Sequence, residues 1–127
     1  MVARKSPPKS KPAVAKPPAR PVLKPLEFLG TSLKDLKDFP EEARQEAGFQ
    51  LDQVQRGKEP DSWGPMTSIA PGVMEIKVKE KSDEFRVLYV ANLHDRVYVL
   101  HSFQKKTQQT STHDKDLAKA RYKEIRR

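Results

Sequence analysis

Basic side chains recur at alternate positions in three neighbouring segments, a spacing that suits chemistry on a phosphate. In residues 72–79, Glu75, Lys77 and Lys79 alternate with Met74, Ile76 and Val78; residues 84–90 carry Arg86; residues 96–106 end in Lys105 and Lys106. Each segment is rich in β-branched or aromatic residues and is set off by a polar turn, which predicts three consecutive antiparallel strands. Side chains on a strand alternate with period two, so one face of this meander is apolar and the other charged. Five cations, Lys77, Lys79, Arg86, Lys105 and Lys106, then converge on one sheet surface, as a phosphate backbone requires. Alternating lysines are more often a solvated face, and the pattern by itself names no reaction.

The elements that must position these residues are legible from periodicity. Residues 26–29 read as an edge strand joining the meander, giving four strands. Ser32 with Asp35 reads as a cap for a short helix carrying Leu33 and Leu36, and Asp38 with Glu41 repeats the arrangement, with Pro40 in the first turn of a longer helix that Gly57 stops. Ala43, Ala47, Leu51 and Val54 share one face of it. Residues 58–72 form a loop around Trp63, which is expected to seal a core edge, with base stacking as the other reading. Ser111 with Asp114 caps a last helix carrying Leu117, Ala118, Arg121, Tyr122 and Ile125. The order β-α-α-β-β-β-α predicts a small α+β domain: a twisted, mainly antiparallel four-stranded sheet, two N-terminal helices packed on one face, a C-terminal helix, and an open face for a ligand.

The formal charge of +8 is uneven along the 127 residues. Residues 1–25 hold seven Lys or Arg and no acid, leaving 18 basic against 17 acidic residues in the remainder. Seven of the 11 prolines also lie in that segment, obstructing helix and sheet alike. The chain divides into a disordered Lys/Pro-rich arm, 1–25, and one domain, 26–127. The arm reads as a solubilising extension or as an electrostatic attractor of RNA or the ribosome. The chain has no cysteine and no apolar run near the roughly 18 residues of a membrane span, so a cytoplasmic protein without membrane contact is expected.

Taken together, Glu75-Ile76-Lys77, the strand Phe85-Arg86-Val87-Leu88-Tyr89, and Val99-Leu100-His101-Ser102-Phe103-Gln104-Lys105-Lys106-Thr107 before an Ala-containing helix resemble the RelE/HigB-like toxins of bacterial type II toxin–antitoxin modules, in particular the phage-derived branch. The resemblance spans residues 26–127. It implies an endoribonuclease that cuts messenger RNA, commonly in the ribosomal A site, with no metal ion or other cofactor. The 2′-hydroxyl attacks the adjacent phosphate and leaves a 2′,3′-cyclic phosphate. The resemblance also implies a cognate antitoxin, expected to carry a helix-turn-helix domain. Carried over by position, Lys77 and Lys79, nine and seven residues before Arg86, match two basic catalytic positions. Arg86 matches the phosphate-clamping arginine, and Lys106 matches a basic position that assists the leaving group. Lys105 is expected to contact RNA. Relatives place a tyrosine or histidine near the start of the last helix or at the C-terminus. This chain has no tyrosine at the first of these places, and His113 or Tyr122 stands as candidate general acid.

Other readings remain beside this one. Glu75 is expected to pair with a neighbouring lysine, and His101 to be structural. His94 has no second histidine at ligand spacing, so no metal site is expected. A non-catalytic RNA-binding toxin homologue accounts for the absent tyrosine, and a small DNA-associated or phage protein accounts for the arm. If the arm attracts RNA, deleting residues 1–25 will flatten the salt dependence of RNA binding, because the slope of log K against log salt follows the number of phosphate contacts. Fluorescence anisotropy across a salt series measures this, and an unchanged slope assigns the arm no role in binding.

Overall fold

A computed structural model of the chain describes residues 23–126. The predicted arm therefore lies outside the described residues except for 23–25. There Lys24 exchanges backbone and side-chain hydrogen bonds with Gln55, and its Nζ donates to the Ala91 carbonyl at 2.8 Å. The elements run β1 (Leu26–Phe28), α1 (Ser32–Lys37), α2 (Glu41–Gln55), β2 (Trp63–Pro65), β3 (Val73–Glu80), β4 (Asp83–Leu93), β5 (Arg96–Lys105) and α3 (Thr112–Arg126).

One five-stranded sheet orders them β1-β5-β4-β3-β2, with β1 parallel to β5 and the other pairs antiparallel. The sequence reading had four strands. The fifth is Trp63-Gly64-Pro65, which pairs with Met74–Ile76 at the sheet edge, a position that tolerates a proline because no ladder donor is needed on its outer side. The β4–β5 turn is built by His94 and Asp95, both at positive φ (55° and 56°), the geometry that matches a tight hairpin to strand twist. An extra residue at Leu100 shifts the register between Leu88↔His101 and Tyr89↔Val99, a β-bulge in β5.

Both sheet faces are covered, by different helices. On one face Ile76, Val78, Val87, Tyr89, Val97 and Val99 meet Leu36, Ala43, Ala47, Leu51 and Val54 of α1 and α2. The 43-47-51-54 face is buried throughout, as its spacing required. On the other face Val73, Leu88, Val90, Tyr98 and Leu100 meet Ala118 and Ile125 of α3. The helix ends depart from the expected caps at two of three places. Ser32 is buried and its hydroxyl donates to the Val99 carbonyl at 3.2 Å, while Thr31 precedes α1 and bonds Asp35. Pro40, not Asp38, occupies the N-cap of α2, and no side chain caps it. The two other end signals operate as read. Gly57, at φ 82°, closes α2 in a Schellman motif, with Gly57 N–H to Val54 O at 3.0 Å and Lys58 N–H to Gln53 O at 2.9 Å. Ser111 accepts from the Asp114 N–H at 3.1 Å and caps α3.

The packing predicts that Leu51→Ala, which empties a site 2% exposed beneath the sheet, costs about 2–5 kcal/mol. Leu33→Ala, at a site 38% exposed, should stay within about 0.5 kcal/mol. Urea unfolding of the two variants makes the comparison.

Candidate active site

The register of β3, β4 and β5 sets the charged residues in three rows on the face that α3 only partly covers. The rows read Glu75, Leu88, His101; then Lys77, Arg86, Phe103; then Lys79, Glu84, Lys105. Neighbours within a row stand about 5 Å apart, and successive rows are about 6.6 Å apart along the strands. Lys77, Lys79 and Arg86 thus share one surface, as alternation required, and the bulge at Leu100 brings Lys105 onto it. Lys106 follows β5 and is exposed at the end of that surface.

Arg86 occupies the middle of this arrangement and is 6% exposed. A guanidinium there, in the central strand, must be paired. Its Nε lies 2.7 Å from Glu75 Oε1, off the N–H direction, so that contact is an ion pair rather than a hydrogen bond. Nη2 donates to Glu84 Oε1 at 2.7 Å, and Nη1 to the Phe85 carbonyl at 3.2 Å. Glu75 therefore pairs across strands with Arg86 and not with a lysine. The two carboxylates differ in setting: the Glu75 side chain is 11% exposed and that of Glu84 44%. The hydrogen bond from Arg86, then its charge, holds the Glu84 carboxyl below its ordinary value of 4.5.

The remaining cations divide into free and engaged. Lys77, Lys79 and Lys106 are exposed, and no group among the described residues bonds their ammonium nitrogens. Gly64, opposite Glu75 on β2, lies beside Lys77: a Cβ there would meet Lys77 Cε in ordinary contact at 3.7 Å. Lys105 is engaged, its Nζ donating to the Gln108 carbonyl at 2.6 Å.

His101 lies on this face but is enclosed. It is 5% exposed, Nε2 is 2.6 Å from Asp114 Oδ1, Nδ1 is 3.5 Å from Arg121 Nη1, and its ring stacks on Phe103 with centroids 4.8 Å apart. Asp114 also accepts from the Ser111 hydroxyl at 2.7 Å, and Arg121 donates to the Leu100 carbonyl at 2.9 Å. These contacts pin α3 to β5, the structural part expected of His101.

The two candidate acids are far apart. His113 is exposed in the first turn of α3, whereas the Tyr122 hydroxyl is 3.5 Å from the Pro71 carbonyl, beyond the end of β3 opposite Lys79. Trp63 faces the other side of the sheet with its partner Ile76. It lines a cavity of about 240 Å³ with Val54, Met74 and Tyr89, so it edges the core and does not meet the cationic rows. Among the described residues no group of histidine, aspartate and glutamate could hold a metal ion, and no helix is long and apolar enough to cross a membrane.

The pairing of Glu75 and Glu84 with Arg86 was missed in sequence. Its signal was present, since Glu84 precedes Arg86 by two and so shares its face, and Lys77 meets Arg86 once the turn centres on Lys81 and Ser82.

Comparison with known proteins bears on this site and fold. The family model described as phage derived protein Gp49-like matches residues 34–123. Among solved structures, the toxin RelE of E. coli, as a double arginine-to-alanine mutant in the free state, superposes with a TM-score of 0.58 at 15% identity, covering 81% of this chain and 98% of that one. The likeness extends to the fold: an α+β domain on a largely antiparallel sheet. No curated protein matches the chain in sequence.

Breaking the buried pair from one side predicts a large loss. Glu75→Ala leaves the guanidinium without its enclosed partner and should cost about 3–5 kcal/mol, while Glu75→Leu with Arg86→Met should recover most of it. Guanidinium unfolding of both variants tests this. The depressed Glu84 carboxyl adds a pH signature. Its contribution to stability is complete above 4.5 and is lost as the pH falls through its lower folded value, so Glu84→Gln should shallow the acid limb of stability.

Proposed function

The chain belongs to the phage-derived Gp49-like family, and from that premise we propose that it is the toxin half of a type II toxin–antitoxin module, a metal-independent endoribonuclease that cuts messenger RNA. It works in the cytoplasm on messenger RNA in the ribosomal A site, and a small antitoxin with a helix-turn-helix domain restrains it. The observation that carries this reading is the pair of exposed lysines, Lys77 and Lys79, whose ammonium groups no described residue hydrogen-bonds, on the same open face as the enclosed Arg86. The fold shared with RelE supports it.

The chemistry follows from what RNA supplies. The 2′-oxygen forms a bond to phosphorus while the bond from phosphorus to the 5′-oxygen breaks; the 2′-hydroxyl proton must leave and the 5′-oxygen must gain one. In this reading Lys77 or Lys79 accepts the first proton. The remaining lysine and Arg86 stabilise the charge that gathers on the phosphoryl oxygens, since positioned cations act most strongly where charge develops. Lys106 assists the leaving oxygen, Lys105 lines the RNA path, and the exposed His113 is the nearer candidate acid. Tyr122, whose hydroxyl lies 3.5 Å from the Pro71 carbonyl, stands as the other candidate acid. Glu84 holds the place at Arg86 that a phosphate oxygen would take, and being half exposed it is the carboxylate that yields.

A second reading is favoured by one observation: both sides of Arg86 are already neutralised. On that reading the protein binds RNA and does not cut it.

Single-turnover cleavage on programmed ribosomes and on free RNA separates the two. Lys77→Ala with Lys79→Ala, both at exposed sites, should retain the fold and slow cleavage by about a hundredfold or more; Arg86→Ala should do the same if it remains folded. Products should carry 2′,3′-cyclic phosphate ends, form in excess chelator, and vanish when a 2′-deoxynucleotide occupies the cleavage position. Glu84→Gln should tighten binding of that uncleavable RNA several-fold. Binding without cleavage by the unmutated chain would establish the non-catalytic reading.

A further inference from the structure

Beyond the last charged row the surface changes character. An open groove of about 830 Å³ lies between the β3–β4 turn and the segment after β5, within the size range of small-ligand sites. Glu84 and Lys105 form one wall of it, so it is continuous with the rows of the candidate active site. Asp83 and Lys106 add a charge of each sign at its rim, and the remaining lining is neutral and polar: Ser82, Gln104, Thr107, Gln108 and Gln109.

The segment that carries these side chains is held in place. Lys105 Nζ donates to the Gln108 carbonyl at 2.6 Å, and the Thr107 hydroxyl donates to the Gln109 carbonyl. These contacts engage the backbone carbonyls. The side-chain amides of Gln104, Gln108 and Gln109 bond nothing among the described residues. A carboxamide offers a donor and an acceptor side by side, the complement of a nucleobase edge, whereas lysine offers only donors. Phosphates are met in the charged rows; a base edge would be met here.

We propose that this groove is a base-reading subsite for the unpaired nucleotide next to the scissile phosphate, with Gln108 and Gln109 as its specificity-determining residues. The inference rests on the endoribonuclease reading for where the RNA lies. It separates from that reading in its consequence: the rows set how fast RNA is cut, and the groove sets which base stands beside the cut.

Two readouts on the full chain test it. One is the base distribution flanking cleavage sites in a mixed-sequence RNA. The other is the binding of short, fully 2′-deoxy-blocked oligonucleotides that differ at one position. The unmutated chain should prefer one base at one flanking position by about tenfold, the scale of a single bidentate amide contact. Gln108→Ala with Gln109→Ala should bring that ratio close to one by weakening the favoured base. Gln108→Glu or Gln109→Glu, which keeps the shape but removes the donors, should shift preference toward bases that present a donor. Thermal melting of these exposed-loop variants should match the parent. Cleavage by the unmutated chain with no flanking preference, or with a preference that the double variant retains, overturns the subsite and leaves the endoribonuclease intact. Selective binding that the double variant loses, without any cleavage, upholds the subsite and overturns the endoribonuclease. Neither cleavage nor binding overturns both. Loss of a protein partner by the double variant with base preference unchanged assigns the groove to protein docking and overturns the proposal.

Discussion

The pairing of a buried guanidinium in the middle of a sheet is the constraint on which the rest of the charged face depends. Arg86 sits in β4 between two other strands, where water cannot solvate it. A charge so placed is tolerable only with carboxylates in contact, and they must come from the same face. That requirement fixes Glu84 two residues before it and Glu75 across the β3–β4 ladder. A one-residue slip of β3 would move Glu75 beneath α2 and bring Met74 or Ile76 to the guanidinium. Register is thus enforced twice, by apolar side chains under α2 and by the ion pair above.

The two faces are held by different physics. α1 and α2 lie over aliphatic rows, with Ala43 and Ala47 allowing the helix to approach the strands closely. The hold on α3 is more polar: His101 meets Asp114, Arg121 meets the Leu100 carbonyl, and Ala118 and Ile125 supply a smaller apolar contact. Because α3 lies against Val73, Leu88 and Leu100, it closes one end of its face and leaves Lys77, Lys79, Glu84 and Lys105 uncovered. The division into a packed end and an open end follows from where the strands change from aliphatic to charged at alternate positions.

Much of this was legible in the sequence, and the failures have causes. Period-two patterning places Glu75, Lys77, Lys79, Glu84 and Arg86 on one face, and the 43-47-51-54 spacing identifies the buried side of α2, whereas the bulge at Leu100, invisible to alternation, is what turns Lys105 to the charged face. The missing strand, β2, is three residues long with a glycine and a proline, too short and too poor in β-branched residues to carry a periodic signal. Ser32 and Asp38 had the composition of caps, but the Val99 carbonyl, 67 residues away, takes the Ser32 hydroxyl. Local pattern cannot report a long-range partner. The same limit hides the Arg86 pairs and the second use of Asp114: Ser111 and Asp114 announce a cap, and nothing in their spacing announces His101.

A site that neutralises its own central cation has to explain how an anion enters. The answer lies in the inequality between the two carboxylates. Parting Glu75 from Arg86 strands two charges in a nearly closed place; parting Glu84 returns a half-exposed carboxylate to water, which restores most of its solvation. An incoming phosphate can therefore replace Glu84 while Glu75 continues to aim the guanidinium, and the exchange leaves the charge on Arg86 compensated throughout. Lys79, directly across from Glu84, is attracted to that carboxylate in the free protein and offers its charge to the phosphate as the carboxylate departs. On the proposed function, the exposed carboxylate that completes the pairing of Arg86 in the free protein thus marks the point at which RNA would enter.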